Sequence, residues 1–380
     1  MEIKDTRILP ETDFPMKASL TKAEPQMLEW WAKEKIYKEI SESSKGKEKF
    51  VFHDGPPYAN GHIHMGHALN KVLKDFIVKI MGMKGYDAGF IPGWDCHGLP
   101  IEHQVGKKLK EKKMSLEKSA IRKQCRSYAQ DFVSIQRDEF KRLGIFADWD
   151  NPYLTMDYSY EATIVREFGK FVEKGMVYKG LKPVHWCTSC RTALAEAEVE
   201  HADHTSPSIY IKFEIKSGVP NSMGDLGKVY MVIWTTTPWT LPANLAISLH
   251  PEFQYVAVAI NDEVLIVAEE RLSSLILEWD VNEYKILGVC KGKEWETAIC
   301  QHPFINRESK VILGDHVTLE QGTGCVHTAP GPGQDDYIVG LKYALEPYNP
   351  VDDGGVFRND VEHFAGMFVR KANPEIIEKL

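Results

Sequence analysis

The segment from residue 53 to residue 71 contains the residue types and spacing that most strongly indicate chemistry. Its histidines His64 and His67 stand three positions apart at the expected start of a helix, so both project from one face. Free amide groups and the helix dipole favour anions at such a helix start, and two imidazole donors can stabilise charge that develops on a phosphoryl group. Gly66 carries no side chain, so a flat ring could pack on the backbone there. Because no Walker A sequence occurs, the pattern predicts phosphate chemistry of another kind.

A strand, a turn and a helix are predicted around these histidines. Phe50–His53 is a short apolar strand candidate, residues 54–61 form a turn rich in proline and glycine, and a helix follows over residues 65–81. The apolar residues of that helix recur at intervals of four: Ala68, Val72, Phe76 and Ile80. A histidine pair taken alone is more often a surface or core feature. The strand-turn-helix context favours function, because it is typical of the opening of a doubly wound α/β domain, whose ligands bind beyond the carboxyl ends of the strands.

Further elements follow the same alternation. Phe90–Pro92 is a second strand candidate, and helices are predicted over residues 116–143 and 159–174. Their expected apolar stripes are Phe132, Ile135 and Phe140 in the first helix, and Ile164, Phe168 and Phe171 in the second. Near the N-terminus, Thr21-x-x-Glu24 has the spacing of a capping box and predicts one more helix.

The pattern changes to strands after about residue 202. The predicted strands are Ile209–Ile215, Lys228–Thr237, Tyr255–Ile260, Val264–Ala268 and Tyr284–Val289. Asn261-Asp262 between two of them predicts a hairpin turn. We therefore expect an N-terminal helical extension over residues 1–48, an α/β domain over 49–201 and a β-rich domain over 202–380.

Composition excludes several classes of protein. The chain has 380 residues, 43% of them hydrophobic and 26% charged, which is ordinary for a globular protein and not for a disordered or collagen-like one. The longest apolar runs are too short to cross a bilayer. Seven cysteines in a chain without a secretory signal pattern favour a reduced, cytoplasmic protein. The net charge of −8 does not indicate a nucleic-acid-binding protein, although it permits a local basic patch.

One such patch lies within residues 101–126. Nine lysines and arginines stand there against three glutamates, a local net charge of +6. For any such run taken alone, a solvated helix face is the more common interpretation. The functional alternative is a surface that binds a phosphate backbone and loses affinity steeply as salt rises.

Two segments of the β-rich domain form a second constellation. Residues 234–244 end a strand with three consecutive threonines, Thr235, Thr236 and Thr237, and then reach Asn244. Residues 322–337 form a glycine-rich loop that bears a histidine and paired carboxylates. Both segments also have purely structural interpretations. Residues 234–244 could simply be a strand that ends in a proline turn, and residues 322–337 could be an exposed loop.

Residues 53–71 resemble the signature sequence of a known family. The block His53-Asp-Gly-Pro-Pro-Tyr-Ala-Asn-Gly-His-Ile-His-Met-Gly-His-Ala-Leu-Asn-Lys71 closely resembles the HIGH signature of class I aminoacyl-tRNA synthetases, with Met65 where isoleucine is usual. Its flanks are similar to those of the bacterial isoleucyl type, and Gly93-Trp-Asp-Cys-His-Gly-Leu-Pro-Ile-Glu102 matches the next block of that family. The resemblance extends from about Leu20 to Leu380. It implies the first half of a Rossmann-like parallel-sheet catalytic domain, followed by an inserted β-rich editing domain.

The resemblance implies ATP-dependent activation of isoleucine, with Mg²⁺ accompanying ATP, and transfer to tRNA(Ile). By position, His64 and His67 would hold the phosphates and Gly66 would support the adenine. The binding residues for ATP and the aminoacyl-adenylate would be Gly55, Pro56, Asn60 and Asp95. Asp95 would pair with the α-ammonium of the substrate, although a loop-capping carboxylate is an equal interpretation of its spacing. We expect no DNA or membrane partner, and a monomer.

The resemblance also implies hydrolytic editing of valyl-tRNA(Ile) in the inserted domain. Thr235, Thr236, Thr237 and Asn244 would line the editing pocket, His327 would restrict its size, and Asp336 would bind the α-ammonium of the misattached amino acid. The choice of Asp336 over Asp335 depends on register alone. No general base is evident from the sequence.

Cys187 and Cys190 form a C-x-x-C pair, which supplies half of a tetrahedral zinc site. No second pair follows, so zinc binding stays open, and His185, His201 and His204 are weaker substitutes. The KMSKS loop of the family does not occur in these 380 residues. We therefore expect the editing insertion to be truncated at its C-terminal end and this piece alone to be unable to charge tRNA. The alternatives are a valyl or leucyl synthetase, a non-catalytic tRNA-binding fragment that uses the basic segment, and a zinc-binding structural protein.

Overall fold

A computed structural model describes Thr6, Asp13 and residues 17–380. The chain forms two compact units, unit 1 up to Tyr178 and unit 2 over Lys179–Leu380. Helices dominate unit 1 and strands dominate unit 2, so the predicted fold class, α/β with a β-rich second part, is confirmed. The domain boundaries expected after residues 48 and 201 stay predictions. Within the described residues no helix is both long and apolar enough to cross a membrane.

Unit 1 combines helices with a short parallel sheet. Its helices are α1 (Leu20–Lys33), α2 (Ile36–Ser44), α3 (Met65–Met83), α4 (Leu99–Glu111), α5 (Lys118–Arg142) and α6 (Tyr158–Glu173). Its strands β1 (Gly93–Trp94) and β2 (Tyr153–Leu154) pair in parallel. Single parallel bridges join Lys49 to Asp87 and Tyr58 to Asp95, so the segment before α3 continues the same sheet.

The two strands predicted for unit 1 are wrong in their bounds. Residues 50–53 and 90–92 belong to no strand, and the second strand starts at Gly93. Pro92 has no amide hydrogen to donate to a ladder, which explains why the second strand does not begin before Gly93. The capping box predicted from Thr21 and Glu24 is also wrong. Helix α1 already begins at Leu20 and has no side-chain cap.

Hydrophobic periodicity predicted the buried face of α5 in part and failed on α3 and α6. Of the expected stripe on α5, Phe140 is buried and Phe132 and Ile135 are half-buried. The other buried positions of α5 are Ala129, Val133 and Gln136. On α3, however, Phe76 and Ile80 are 55% and 49% exposed, whereas the buried positions are Lys71, Asp75 and Val78. The apolar stripe expected on α6 is likewise about half exposed, at Ile164, Phe168 and Phe171. The pattern failed on α3 because Lys71 and Asp75 have ion-pair partners, which permit burial of charge.

Unit 2 is built on one nine-stranded sheet. Its strands are β5 (Ile209–Ser217), β6 (Val229–Thr235), β7 (Ala246–Leu249), β8 (Gln254–Ile260), β9 (Glu263–Ala268), β10 (Lys285–Lys291), β11 (Ile299–Gln301), β12 (Glu308–Leu313) and β13 (Cys325–Thr328). Their order across the sheet is β10-β8-β9-β6-β5-β11-β12-β7-β13. A separate pair, β3 (Trp186–Cys187) and β4 (Thr192–Ala193), precedes the sheet. The helices are α7 (Glu269–Glu278), α8 (Gln334–Lys342) and α9 (Val369–Lys379).

The five strands predicted for the β-rich region correspond to β5, β6, β8, β9 and β10. The hairpin at Asn261-Asp262 is confirmed, because β8 and β9 pair antiparallel with Ile260 opposite Glu263, and Asn261 has the positive φ of 55° that such a tight turn needs. Two further segments position polar residues: a 3₁₀-helix, Pro238–Ala243, follows β6, and α9 packs against it.

Candidate functional site

The two histidines of unit 1 cap helix α3. His64 is the N-cap residue, and its Nδ1 accepts a hydrogen bond from the amide of Gly66 at 3.0 Å. The Nδ1 of His67 accepts the amide hydrogen of His64 at 3.2 Å. The two ring centroids lie 3.9 Å apart. A Cβ at Gly66 would lie 2.9 Å from Cε1 of His64, so the glycine makes room for this ring at the helix start.

These hydrogen bonds determine where the ring protons are. Because Nδ1 of each ring accepts a backbone amide hydrogen, each neutral ring carries its proton on Nε2. Partial burial, with the nearby His64 and Lys71, lowers the pKa of His67 and favours its neutral form. The start of α3 thus presents two Nε2–H donors beside the positive end of a helix dipole. This arrangement can bind an anionic oxygen without a protonated ring.

Asp54, one residue before Gly55, holds the binding segment in place. Its carboxylate is fully buried and forms ion pairs with Lys71 and Lys74 of α3, the latter at 2.7 Å. The same carboxylate accepts the amide hydrogen of Gly93 at 3.0 Å, and Tyr153 donates its hydroxyl to the Asp54 carbonyl at 2.7 Å. Asp54 therefore joins α3 to three parallel segments and fixes Gly55 and the following Pro56 relative to them. The Asp54 cluster was missed from sequence, since nothing local marks a lysine as buried.

Asp95 lies beside the turn that contains the other predicted binding residues. Its amide donates to the carbonyl of Pro57 at 2.8 Å, and its own carbonyl accepts from Ala59 at 2.8 Å. The carboxylate Oδ1 accepts the amide hydrogen of His97 at 3.3 Å and the hydroxyl of Thr155 at 3.4 Å. Asp95 is thus partly a loop cap, as its spacing allowed, and it is half-buried directly after β1, where it bridges to Tyr58 of the turn.

The turn itself is held from α5. Gln136, fully buried, donates to the carbonyls of Tyr58 at 3.0 Å and Gly61 at 2.8 Å. Tyr128 donates its hydroxyl to Oδ1 of Asn60 at 2.8 Å. The structure therefore brings Gly55, Pro56, Asn60 and Asp95 onto two neighbouring segments, with His64, Gly66 and His67 on the helix that follows. Gln136 was missed, because a glutamine inside a helix carries no sequence signal for a loop clamp.

Unit 2 contains a cavity of about 710 Å³. Its polar lining includes Thr235, Thr236, Thr237, Thr240, His316, His327, Asp335 and Asp336. The end of β6 supplies the first three threonines. The amide of Thr237 donates to Oγ1 of Thr235 at 3.0 Å, and the hydroxyl oxygens of these two threonines lie 3.3 Å apart, so the chain turns sharply where the three threonines line the cavity. The structure thus brings together the two segments that the sequence singled out 90 residues apart.

His327 forms a wall of this cavity through a buried hydrogen-bond chain. Asn244 Nδ2 donates to Nδ1 of His327 at 2.8 Å, which leaves the ring proton on Nε2, and that nitrogen lies 2.9 Å from Oγ1 of Thr240. Thr240 in turn donates to the carbonyl of Thr237 at 2.8 Å. Burial, with a smaller contribution from His302, lowers the pKa of His327 to about 3. A neutral ring with both nitrogens engaged can shape the cavity but cannot accept a proton from water.

The expectation that Asn244 lines the pocket is wrong. Asn244 is fully buried, is absent from the cavity lining and accepts a hydrogen bond from Ser309 through Oδ1. Its role is to hold His327, because its amide is the donor that fixes the tautomer of that ring. Thr240 takes the place at the cavity that was expected of Asn244.

Asp336 stands in the first turn of α8 and folds back over Gly333. Its Oδ2 accepts the amide hydrogen of Ala329 at 2.9 Å, and a Cβ at Gly333 would collide with the carboxylate. Burial raises the pKa of Asp336. Asp335 also lines the cavity but is exposed to solvent. Of the two carboxylates, Asp336 is the one built into the wall.

One residue that lines this cavity and one that holds the neighbouring 3₁₀-helix were missed from sequence. His316 lines the cavity, and its Nε2 is buried with no hydrogen-bond partner in the described part of the chain. Asn373, on α9, accepts the amide hydrogen of Trp239 at 3.0 Å through Oδ1. That amide belongs to the first turn of the 3₁₀-helix and has no partner within it, so Asn373 acts as a cap from 134 positions away. Only tertiary contact could reveal it.

Cys187 and Cys190 lie on the small β3–β4 hairpin. The amide of Cys190 donates to Sγ of Cys187 at 3.4 Å, and this hydrogen bond is the main cause of the lowered pKa of Cys187. Within the described residues no group of three or more His, Cys, Asp or Glu side chains could hold a metal. His185, His201 and His204 therefore do not complete the pair. Since zinc in proteins takes four ligands, the residues present here do not fit it.

The chain is similar in sequence to proteins of one known family. The sequence model of a family described as "tRNA synthetases class I (I, L, M and V)" matches residues 26–348. Isoleucine--tRNA ligase of Syntrophotalea carbinolica is 54% identical over 382 residues, which cover 100% of this chain and 41% of that protein. Isoleucine--tRNA ligase of Geobacter sulfurreducens gives the same identity and coverage. The chain thus spans about two-fifths of the length of the curated relatives it matches.

Solved structures show weaker similarity. A LeuRS-tRNA-LeuAMS ternary complex from Agrobacterium radiobacter K84 is 17% identical, with a TM-score of 0.41, and the match covers 96% of this chain and 47% of that one. A TM-score this low supports no conclusion about fold or function.

Proposed function

This chain belongs to the class I tRNA synthetases, and from that premise we propose that the protein activates isoleucine with ATP, transfers it to tRNA(Ile) and hydrolyses wrongly charged valyl-tRNA(Ile) in unit 2. Support for isoleucine comes from the relatives named isoleucine--tRNA ligase at 54% identity. The proposal includes ATP with Mg²⁺ and tRNA(Ile) as partners, a monomeric state and a cytoplasmic location.

Activation rests on one observation, the two Nε2–H donors at the start of α3. In this reaction the carboxylate of isoleucine attacks the α-phosphorus of ATP in line, and pyrophosphate leaves. Little proton transfer is needed, so catalysis depends on positioning and on stabilising charge at phosphoryl oxygens. His64 and His67 donate to those oxygens through their Nε2–H groups. Because their Nδ1 atoms are held by the backbone, the donors are oriented before the substrate binds.

The neighbouring segments bind the rest of the adenylate. Asp95 takes the α-ammonium of isoleucine through carboxylate oxygen that its weak internal hydrogen bonds leave available. Gly55 and Pro56 contact the adenylate along the turn, and Asn60, held by Tyr128, contributes its amide group. Gly66 keeps the start of α3 open for the nucleotide. The aminoacyl group then passes to the terminal ribose of the tRNA.

Editing follows from a limit on discrimination by size. One methylene in an apolar pocket changes the binding free energy by only about 1–3 kcal/mol, a magnitude known for enzymes of this family. A pocket that binds isoleucine therefore accepts valine too often. In unit 2, Asp336 binds the α-ammonium of the valyl group, and the hydroxyls of Thr235, Thr236 and Thr237 orient the ribose and the attacking water. His327 limits the cavity so that isoleucine is excluded. As His327 cannot take a proton, the water is activated by another group or by the substrate.

Binding of non-hydrolysable aminoacyl-adenylate analogues to the chain tests the activation proposal. In calorimetry we expect the isoleucyl analogue to bind more tightly than the valyl and leucyl analogues. Asp95→Asn should weaken binding by about 10- to 100-fold, because a charge-assisted hydrogen bond is lost, and the exposed Asp150→Asn should leave binding unchanged. Tighter binding of the valyl or leucyl analogue would show that the amino acid is assigned wrongly.

Deacylation assays on the chain test the editing proposal. We expect hydrolysis of valyl-tRNA(Ile) to exceed that of isoleucyl-tRNA(Ile). Asp336→Ala should lower the rate with valyl-tRNA by at least about tenfold, since the ammonium loses its partner. The matched variant Asp335→Ala, at an exposed position beside it, should change the rate by less than about threefold. The reverse order of the two variants would reassign the ammonium site to Asp335.

A further inference from the structure

Helices α4 and α5 carry a cluster of cations that neither site uses. Eight exposed basic side chains lie on these helices and the segment between them, here called the α4–α5 basic surface: Lys107, Lys108, Lys110, Lys112, Lys113, Lys118, Arg122 and Lys123. None of them forms an ion pair with a carboxylate of residues 17–380, although Glu102, Glu111 and Glu117 stand in the same stretch. The charge is therefore uncompensated in a chain whose net charge is −8.

Four exposed lysines of unit 2 are arranged differently. Lys212 lies 2.7 Å from Glu263, Lys216 lies 2.9 Å from Glu214, and Lys291 and Lys293 both contact Glu252. Each of these lysines has a carboxylate that offsets its charge, as is usual on a solvated surface. Unpaired cations crowded on two packed helices repel one another, and a polyanion would relieve that repulsion.

The basic surface is continuous with the candidate adenylate site. Lys108 places its Nζ 4.5 Å from the ring centroid of Tyr128. Tyr128 donates its hydroxyl to Asn60 at 2.8 Å, and Asn60 lies in the turn that leads to His64. A ligand that follows the lysines therefore reaches the turn where the aminoacyl-adenylate is proposed to form.

We propose that the α4–α5 basic surface binds the phosphate backbone of a tRNA whose 3′ end reaches the site at Asn60 and His64. This inference rests on the proposed function, which requires the terminal ribose to approach the adenylate. A membrane is the less suitable partner, because the apolar residues of α4 and α5 face inward. Within residues 101–126, Met114 is the one large apolar side chain that is at least half exposed, too little to anchor a helix in a bilayer.

Titration of tRNA(Ile) with the chain at several salt concentrations tests the proposal. The variant K107Q/K110Q/K112Q/K113Q removes four charges, spares Lys108 beside the site and keeps similar helix propensity. We expect its Kd to rise at least about tenfold near 0.1 M salt, and the slope of log K against log salt to become shallower by about three to four units. The control K212Q/K216Q/K291Q/K293Q changes the net charge equally at ion-paired positions and should alter neither quantity.

Three outcomes would overturn the inference: an unchanged Kd and slope in the α4–α5 variant, an equal loss in the control, or tighter lysine-dependent binding to phosphatidylcholine vesicles with about one-third phosphatidylserine than to tRNA. Binding of the isoleucyl-adenylate analogue, measured in parallel, separates this inference from the proposed function. If the analogue does not bind but tRNA affinity depends on the four lysines, the activation proposal is wrong, whereas the inference that the α4–α5 basic surface binds tRNA is supported. If the analogue binds and the variant keeps its tRNA affinity, the surface inference alone fails.

Discussion

Histidines in the two units are used in opposite ways. At the start of α3, His64 is exposed, its Nδ1 is occupied by a backbone amide and its Nε2 is left for a ligand. In unit 2, His327 is buried, Asn244 and Thr240 occupy both nitrogens and nothing is left to donate or accept. The same residue type is therefore a donor in one site and a wall in the other. What differs is which ring nitrogens the surrounding residues engage.

The aspartates show a parallel contrast. Asp54 in unit 1 is fully buried and neutralised by Lys71 and Lys74, so it holds backbone segments together and cannot meet a ligand. Asp336 in unit 2 gives one oxygen to the amide of Ala329 and lines an open cavity. Asp54 is thus structural, because all its partners are internal. Asp336 is available for recognition, because it lines an open cavity.

The largest effect is expected from breaking the buried ion-pair cluster of unit 1. Asp54→Ala leaves Lys71, which is 2% exposed, without a counter-charge and should lower the free energy of unfolding of unit 1 by about 3–5 kcal/mol. Urea denaturation with hydrogen exchange resolved by unit would measure it. Glu167→Ala, which removes an exposed pair with Lys170, should cost less than about 1 kcal/mol. Similar losses in both variants would show that Asp54 is no more structural than a surface residue.

Truncating the two contrasted histidines should separate stability from ligand binding. His327→Ala removes one buried hydrogen bond from Asn244 and one from Thr240, leaves a cavity in their place and should destabilise unit 2 by about 3 kcal/mol. It should also admit the isoleucyl group to the cavity, seen as faster hydrolysis of isoleucyl-tRNA. His64→Ala should cost unit 1 only about 1 kcal/mol, the value of a helix cap, while weakening adenylate binding. If His327→Ala and His64→Ala destabilise their units equally, the contrast between a structural His327 and a ligand-binding His64 is wrong.

Acidification should destabilise unit 2 through its buried histidines. Burial lowers the pKa of His302 to about 4 and that of His327 to about 3, below the ordinary value near 6.5. Below pH 6.5 these histidines are protonated in the unfolded chain but stay neutral in the folded unit. The free energy of unfolding of unit 2 therefore falls as the pH falls below 6.5, and above pH 6.5 the two histidines have almost no effect on it. Between pH 7 and pH 5.5 we expect a loss of about 2–3 kcal/mol from the pair.

The histidine contribution can be isolated by substitution. His302→Gln should make the pH dependence of unit 2 unfolding about half as steep between pH 5.5 and pH 7, a window above the titration of ordinary carboxylates. The exposed His201→Gln should leave the slope as it is. A slope that persists in full without His302 would contradict the assignment of the effect to the buried pair.

The smallest expected effect concerns the cap supplied by α9. Asn373→Ala removes the acceptor for the amide of Trp239 and should cost unit 2 about 1 kcal/mol. It should also speed hydrogen exchange of the Trp239 amide, whereas Asn373→Asp keeps an acceptor oxygen and should restore protection. If the aspartate variant exchanges as fast as the alanine variant, the side chain acts by packing and not as a cap.

Strand positions in unit 2 were predictable because alternation and turn chemistry are local: Asn261 fixes its hairpin by conformational preference alone. The face of α3 was not predictable in the same way. Its periodicity favoured burial of Phe76 and Ile80, and the buried positions are instead Lys71 and Asp75. The cost of burying a lysine depends on a counter-charge 17 positions away, which hydrophobic patterning does not encode.

Sequence by itself determined the capped histidine pair, because the spacing of His64 and His67 and the missing side chain of Gly66 act within one helical turn. It also determined the threonine and acidic segments of unit 2 as candidates. Only the tertiary structure decided that those segments share one cavity, that Asn244 stands behind His327 and that Asp336 is built into the wall. The reason is physical: tautomers, burial and free lone pairs depend on neighbours that are distant in the chain, and local propensity cannot specify them.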